Sequence, residues 1–149
     1  MLNKATIKNF GPLPNEEYQF APGLNVVVGE NGLGKSQLLK LLYAVLKVNA
    51  DAKDFTKAAL QKAYADKLVG VFRPDALGRL VKRKQGRERC EVRLEMDDSA
   101  LSCAFGFASQ AKSEVQLDKL PAKALEQAPA YIPTRELVTL CPWFGPLYD

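Results

Sequence analysis

The feature that most constrains this 149-residue chain is a glycine-rich stretch, GENGLGKS, from Gly29 to Ser36. An apolar run, Leu24–Val28, precedes it, and a sequence with helical spacing of its leucines, SQLLKLLYAVLKV, follows its lysine. Glycines let the backbone turn tightly, so successive N–H groups can point inward, and the following helix adds the positive end of its dipole. The sequence therefore predicts a strand, a phosphate-binding loop and a helix in that order.

Two side chains of this stretch indicate a nucleotide as the ligand. The spacing Gly-x4-Gly-Lys-Ser places Lys35 where its ammonium can reach the β- and γ-phosphates, and Ser36 where its hydroxyl can join the shell of a Mg²⁺ ion. A glycine-rich turn with an incidental lysine is the structural alternative. It does not explain why Lys-Ser follows the last glycine, so we favour nucleotide binding.

Secondary structure in the first half of the chain is predicted from apolar spacing. Alternation indicates strands around Ala5–Ile7 and Tyr18–Phe20. The run Leu24–Val28, apolar apart from Asn25, is typical of a strand covered on both faces. The helix after the loop should be mostly buried. A second helix is expected from about residue 51 to residue 68, with Gly70 placed to end it.

The second half of the chain changes to a period of two. Alternating apolar residues predict an antiparallel meander with strands at residues 92–96, 101–107 and 115–117. A short helix at residues 121–127 and a last strand at residues 130–132 are expected to follow. An extra strand at 80–84, turned by Gln85-Gly86, is also expected. The fold class is thus α/β, a P-loop NTPase amino-terminal lobe with an antiparallel β-meander insertion. We divide this single partial domain into residues 1–49, 50–70, 79–120 and 121–149.

Composition excludes several kinds of site. The chain contains no histidine, which rules out Ser-His-Asp and Cys-His catalysis within it. Its three cysteines form no CxxC pair, and Cys103 alternates with apolar residues, so a small buried thiol is expected there. No apolar run approaches the roughly 20 residues of a membrane span, and the amino terminus lacks a secretory signal. We expect a cytoplasmic protein with no membrane partner.

Basic residues are concentrated in one segment. Residues 79–89 carry six basic side chains and one acidic one. The candidates for contact with a DNA or RNA backbone are Lys82, Arg83, Lys84, Arg87 and Arg89. The alternative is a solvated edge whose charges keep an exposed strand from pairing. We favour the solvated edge, because charge runs are usually surface features and no aromatic residue interleaves with this one.

A family resemblance rests on three stretches of the sequence. GLNVVVGENGLGKSQLL, preceded by IKNFGPL, resembles the amino-terminal lobe of ABC-type ATPases of the chromosome-maintenance and RecF-like group. Its nearest resemblance is to bacterial ATPases related to the "overcoming lysogenization defect" nucleases, many of them phage-defence proteins. YIPTRELVTL, residues 131–140, resembles the segment through which this lobe leads to a helical lobe.

The resemblance implies ATP and Mg²⁺ as ligands. The residues it assigns to the nucleotide are Gly29, Glu30, Asn31, Gly32, Leu33, Gly34, Lys35, Ser36 and Gln37, with Ser36 also at the metal. It places a γ-phosphate or magnesium sensor near Arg135 or Glu136. Two departures stand out: Leu33 replaces a small residue, and Gly11-Pro12 stands where several relatives carry an arginine. The family further implies that nucleotide drives head-to-head dimerisation.

Elements needed for hydrolysis are missing from the sequence. No run of four apolar residues is followed directly by Asp or Glu, and no SGG-type signature is present. We therefore expect ATP binding with negligible turnover, and a partner that is either a second copy or the missing ATPase half. The alternative is a non-catalytic nucleotide- or nucleic-acid-binding module that complements a partner ATPase. A P-loop kinase ranks last, because no lid is recognisable.

Overall fold

One antiparallel sheet and two helices form the part of the chain that the computed structural model describes, residues 1–83 and 88–133. Two strands come first, then two helices, then three more strands. Their bounds are β1 Leu2–Lys8, β2 Glu16–Gln19, α1 Lys35–Asp51, α2 Lys57–Phe72, β3 Arg89–Met96, β4 Cys103–Ala108 and β5 Gln116–Lys119. The strand order is β2-β1-β3-β4-β5, and every neighbouring pair is antiparallel.

Alternation along the strands divides the sheet into two faces. Ile7 pairs with Val92, which in turn pairs with Phe105, so a row of buried side chains crosses three strands toward the helices. The opposite face carries ion pairs, among them Lys4 to Glu95, with its Nζ and Oε2 atoms 3.1 Å apart. The expected antiparallel meander is thus present, and it continues the same sheet as the first two strands.

Helix α1 is buried around most of its circumference, since the five consecutive residues from Leu41 to Val45 are all buried, whereas α2 buries one side. In α2 four of the five buried residues fall at a spacing of four or three, and the fifth, Ala65, lies next to one of them; the four are Leu60, Tyr64, Leu68 and Val71. The Thr56 hydroxyl caps the start of α2 by accepting a hydrogen bond from the amide of Ala59 at 3.4 Å. The predicted helix after the loop is confirmed as α1, although Leu39, expected to widen its apolar face, is 47% exposed.

A buried polar network joins the two helices to β4. The Tyr64 hydroxyl donates to Asn49 Oδ1, and Asn49 Nδ2 donates to Cys103 Sγ at 3.4 Å. The Tyr64 ring stacks on Phe105 with 4.8 Å between centroids. Burial raises the pKa values of Tyr64 and Cys103. Cys103 is the buried thiol that the sequence predicts, and Cys90 is buried too.

The predicted strand at Leu24–Val28 is wrong for the described part of the chain. No strand forms there, and Leu24 is 88% exposed where cover on both faces was expected. A strand needs neighbouring backbone to accept and donate its hydrogen bonds, and no described strand forms backbone hydrogen bonds with this segment. The apolar sequence of Leu24–Val28 is thus typical of a buried strand, but the described residues supply no strand that pairs with it.

The predicted end of the second helix is also wrong. Gly70 lies inside α2, which continues to Phe72, while Arg73 takes a left-handed conformation with φ of 49°. Pro74 follows, and proline cannot continue a helix because it lacks an N–H and disfavours a helical residue before it. At the other end, α1 extends to Asp51, so residues 52–56 connect the two helices and α2 begins only at Lys57.

Three shorter predicted elements are replaced by other structure. Leu80 ends a 3-10 turn, Leu77–Leu80, and Val81 forms an isolated bridge with Phe10 in place of a strand; its expected turn at residues 85–86 lies outside the described residues. Residues 121–127 are irregular, because the amides of Ala122 and Leu125 donate to carbonyls of other elements. The expected strand at 130–132 is absent, and Tyr131 packs on Tyr43 of α1 instead.

No helix within the described residues is long and apolar enough to cross a membrane.

The buried network predicts a coupled loss of stability. We expect Asn49→Leu to lower the free energy of unfolding by about 1–3 kcal/mol, because the Tyr64 hydroxyl would be buried without its acceptor. Tyr64→Phe should have a comparable effect through Asn49. The double variant should lose clearly less free energy of unfolding than the two single variants together, because it leaves neither the Tyr64 hydroxyl nor the Asn49 amide without its partner. Urea unfolding of the four proteins measures this, and strict additivity would show that the two side chains do not act together.

Candidate nucleotide-binding site

The loop between residue 29 and α1 turns through two glycines in the left-handed conformation. Gly32 has φ of 88° and Gly34 has φ of 86°, values that residues with a side chain rarely adopt. Leu33 lies between them, and the Leu33 Cδ1 atom is 3.3 Å from where a Cβ on Gly29 would lie. The glycines of the motif are therefore required by the backbone path and by close packing within the loop.

Lys35 closes the loop on itself. Its Nζ donates to the carbonyl oxygen of Gly29 at 2.6 Å and to that of Glu30 at 2.7 Å. The first residue of α1 is thus tied to the first two residues of the loop. A lysine ammonium has three N–H donors, so one remains for a ligand. The arrangement fixes a positive charge at the loop and leaves it able to bind an anion.

The start of α1 lacks a side-chain cap. Gly34 occupies the N-cap position, no side chain accepts from the first turn, and no acidic residue lies in that turn. The first amide groups of a helix have no partners within the helix, and its dipole places positive charge there. Ser36 is exposed in the same turn. The helix start therefore presents unpaired N–H donors and a hydroxyl together, which suits a phosphate.

The turn after β1 packs against the last glycine of the loop. A Cβ on Gly34 would lie 2.9 Å from Leu13 Cδ2 and 3.3 Å from Pro12 Cγ, and Leu13 is only 2% exposed. The turn is held in its place from the other side, where Gly11 N donates to Leu80 O at 2.8 Å and Lys82 Nζ donates to Leu13 O at 3.4 Å.

The sequence alone does not predict the role of Leu13. Leu13 and Gly34 are 21 positions apart, and only the folded chain brings them together. The stretch IKNFGPL carried part of the family resemblance, but no periodicity marks its leucine as the residue beneath the loop.

A cleft of about 320 Å³ lies over the loop and the start of α1. The residues that line it are Pro12, Asn31, Gly32, Gly34, Lys35, Ser36 and Gln37. Six of the nine nucleotide-binding candidates therefore share one cleft. Gly29 and Glu30 contribute carbonyl oxygens to Lys35, and the Leu33 side chain is half exposed at the loop tip.

The basic candidates for nucleic-acid contact do not form one group in the described residues. Lys84 and Arg87 lie outside the part of the chain that is described, as do the sensor candidates Arg135 and Glu136. Arg89 lies on β3 and pairs with Asp118, with 2.9 Å between Nη2 and Oδ2.

Two of the basic candidates do share a surface feature. Lys82 and Arg83, together with Arg79, line a surface depression of about 320 Å³ that Glu88 also lines. This depression lies beside the turn that supports the loop.

Comparison with known proteins identifies the family. Residues 1–127 match the family model described as the AAA ATPase domain. The chain belongs to this family. The expectation of an ATPase-type P-loop domain is therefore confirmed at the family level.

Two curated repair proteins are similar to parts of the chain. DNA repair protein RecN of Xylella fastidiosa is 42% identical over 52 residues, which are 35% of this chain and 9% of RecN. DNA replication and repair protein RecF of Salmonella arizonae is 25% identical over 117 residues, which are 78% of this chain and 27% of RecF. The matched part of the chain thus spans about a quarter of RecF and about a tenth of RecN.

A solved structure supports the fold. The structure titled as that of the recombination mediator protein RecF-ATP in the RecFOR pathway has a TM-score of 0.52 at 17% identity, over 94% of this chain and 34% of that chain. The RecF-like resemblance inferred from the loop and its flanks is confirmed at this level. The narrower likeness to phage-defence ATPases stays a prediction.

Gly34 offers a test of the support beneath the loop. We expect Gly34→Ala to lower the free energy of unfolding by about 2–4 kcal/mol, because it combines a left-handed backbone with a collision against Leu13. Gly23→Ala is the matched control: Gly23 has φ of 84° but no atom within 4 Å of its Cβ position, so only about 1–2 kcal/mol should be lost. Chemical denaturation compares the two variants. Equal losses would show that the Leu13 contact has no cost.

Proposed function

We propose that this chain is the ATP-binding lobe of a RecF-like ATPase and that residues 29–36 hold the phosphates of Mg²⁺-ATP. The observation that carries the proposal is the closed loop, in which Lys35 bridges two carbonyls directly in front of an uncapped helix. Membership of the AAA ATPase family supports an adenine nucleotide as the ligand. The similar RecF structure, which is that of a RecF-ATP complex, agrees with an adenine nucleotide as the ligand.

Each residue of the site would have a separate task. Amide groups of the loop and of the first turn of α1 would donate to phosphate oxygens, and the remaining N–H of Lys35 would pair with the terminal phosphates. Ser36 would hold Mg²⁺, which supplies neutralisation of phosphate charge when it is bound. Leu13 and Pro12 would act indirectly, because they keep the loop in the shape that the amides require.

We propose that the 149 residues bind ATP with negligible turnover. Hydrolysis of this kind needs a group that orients the attacking water, together with acidic residues at the metal. Within the described residues, neither Asp nor Glu lines the cleft over the loop. The polar side chains that line it, Asn31, Lys35, Ser36 and Gln37, can donate or accept hydrogen bonds, and none of them is a carboxylate that could act at the metal.

ATP titration tests the binding proposal. In the presence of Mg²⁺ we expect Lys35→Ala to weaken ATP binding by roughly 10- to 100-fold, because a hydrogen bond between charged groups contributes about 1.5–3 kcal/mol. Lys53→Ala is the matched control, since Lys53 is an exposed lysine between the helices and its removal changes net charge equally. Isothermal calorimetry or a fluorescent ATP analogue provides the measurement.

Two results of this experiment would count against the proposal. Equal affinity of the Lys35→Ala and Lys53→Ala proteins would remove nucleotide binding at the loop. Robust Mg²⁺-dependent phosphate release that is lost on Lys35→Ala would overturn the proposal of negligible turnover. It would still be consistent with nucleotide binding at the loop.

A non-catalytic nucleic-acid-binding module is the second candidate. The specific observation is the depression lined by Arg79, Lys82 and Arg83, which contains one acidic residue, Glu88. The names of the two similar repair proteins include DNA, which is consistent with a backbone-contacting surface. Such contacts would depend on charge and would weaken with salt.

Charge reversal separates this candidate from an ordinary solvated edge. If the depression binds duplex DNA, Arg79→Glu, Lys82→Glu and Arg83→Glu together should abolish binding and the steep salt dependence that accompanies phosphate contacts. Reversal of three exposed lysines elsewhere, Lys53, Lys57 and Lys62, changes net charge by the same amount and is the control. Equal binding by both triple variants, measured by fluorescence anisotropy, would exclude a role for the depression.

A further inference from the structure

Asn9, the first residue after β1, has a backbone conformation that few side chains tolerate. Its φ is 55°, and among the residues that the structure describes only Arg73 shares a positive φ without being glycine. Asparagine is one of the few residues that adopt the left-handed conformation readily. Arg73 ends a helix, whereas Asn9 begins the turn after β1, residues 9–15, which reaches the phosphate-binding loop.

The side-chain amide of Asn9 is fully engaged. Its Nδ2 donates to Glu88 Oε2 at 2.9 Å and to the Arg89 carbonyl oxygen at 3.1 Å. Its Oδ1 accepts from Asn15 Nδ2 at 3.2 Å. A carboxylate and a carbonyl only accept hydrogen bonds, so Nδ2 rather than Oδ1 must face them. These two bonds require an amide at position 9, because an aspartate has no N–H to donate.

The main chain of Asn9 is engaged as well. Its N–H donates to Asn15 Oδ1 at 2.7 Å, and its carbonyl accepts from Lys82 N at 2.7 Å. The bonds with Asn15 close the turn at its two ends. The others attach it to the segment before β3 and to the start of that strand. Asn9 is thus the point at which the turn is fixed to the sheet.

The middle of the turn carries the leucine that packs on the loop. Leu13 N donates to Phe10 O at 3.0 Å, and a Cβ on Gly34 would lie 2.9 Å from Leu13 Cδ2. Phe10 is 1% exposed, and its ring meets the Phe72 ring edge-on with 5.2 Å between centroids. The turn therefore links Asn9 to the last glycine of the loop through bonded and closely packed groups.

The position of Gly34 affects the amides that face the cleft over the loop. Gly34 is the N-cap residue of α1, and Lys35 follows it. Pro12 of the same turn lines the cleft, whereas Asn9 does not. A change at Asn9 would therefore reach the cleft through the turn that it holds.

We propose that Asn9 is a positioning residue for nucleotide binding, which sets affinity by holding the turn after β1 against Gly34. This role rests on the proposed function of the loop. Without the bonds of the Asn9 amide, the turn is free to leave Gly34, and the loop spends less time in its binding shape. If that fraction falls to about a tenth, apparent ATP affinity falls about tenfold.

A swap of donor and acceptor tests the proposal. Asn9→Asp keeps a side chain that tolerates the left-handed conformation, but it places a second carboxylate against Glu88 and should weaken Mg²⁺-ATP binding about tenfold. Adding Glu88→Gln supplies an amide that can donate to the new carboxylate, so most of the lost affinity should return. Glu88→Gln alone should bind ATP like the parent protein, because Asn9 keeps an oxygen acceptor.

Two further variants serve as controls for charge and for stability. Gln116→Glu adds the same charge on exposed β5. Tyr64→Phe weakens the buried network away from the loop, so it lowers stability without touching the turn. Both should bind ATP like the parent protein at a temperature where denaturation curves show every variant folded. If Asn9→Asp does not fold, Asn9→Gly replaces it, since glycine keeps the left-handed backbone and removes the same bonds.

Nuclear magnetic resonance supplies a measurement that needs no nucleotide. The amide resonances of Gly34 and Lys35 should shift in Asn9→Asp and return toward their parent positions when Glu88→Gln is added. They should not move in Tyr64→Phe or Gln116→Glu. A residue that only stabilises the fold would leave these resonances in place while the protein remains folded.

The remaining outcomes overturn the proposal. Parent-like affinity and resonances in Asn9→Asp or Asn9→Gly would refute it, and so would a loss of affinity that Tyr64→Phe reproduces. The proposed function is judged separately by the Lys35→Ala titration. Absence of Lys35-dependent ATP binding in the parent protein would refute that function, and the amide resonances would still decide whether Asn9 positions the loop.

Discussion

The contact between Leu13 and Gly34 is the constraint on which the site depends. It joins the turn after β1 to the last glycine of the loop, at a distance that admits no side chain at position 34. The same turn is bonded to Leu80 and Lys82, so the loop is supported through the turn by the segment that leads to β3. A glycine-rich loop has little rigidity of its own. Its shape is therefore held by the two bonds of Lys35 within the loop and by a buried leucine that packs against it without facing the cleft.

The elements predicted correctly are those whose sequence pattern and tertiary partners agree. Val92 alternates with the charged residues Glu91 and Arg93 and pairs with Phe105 across β3 and β4. The leucines of α1 repeat at helical spacing over the same core. The failures have identifiable causes. Gly70 is tolerated inside α2, and the helix ends at Phe72, shortly before Pro74. Residues 121–127 have helical composition, but hydrogen bonds to Ala100 and Asn49 hold them in an irregular path.

The site divides in the same way. Lys35 and Ser36 could be identified from spacing alone, because a phosphate-binding loop requires those residues next to its last glycine. The bonds from Lys35 to Gly29 and Glu30 follow from that local spacing. Leu13 could not be identified, since its role exists only after the sheet has formed. Leu24–Val28 is the reverse case: the sequence describes a buried strand, and the described residues hold too few neighbours to bury it.

The missing cap of α1 links the helix to whatever binds in front of it. Most helices satisfy their first amides with a serine, threonine or aspartate, and Gly34 supplies no such side chain. A bound phosphate would therefore serve as the N-cap itself and complete the first turn. Because it binds only the folded helix start, its binding free energy would add to the stability of α1 and the sheet behind it. An occupied chain should consequently resist fraying, local exchange and proteolysis at the loop more than a free one, so the ligand acts as a structural part of the domain it occupies.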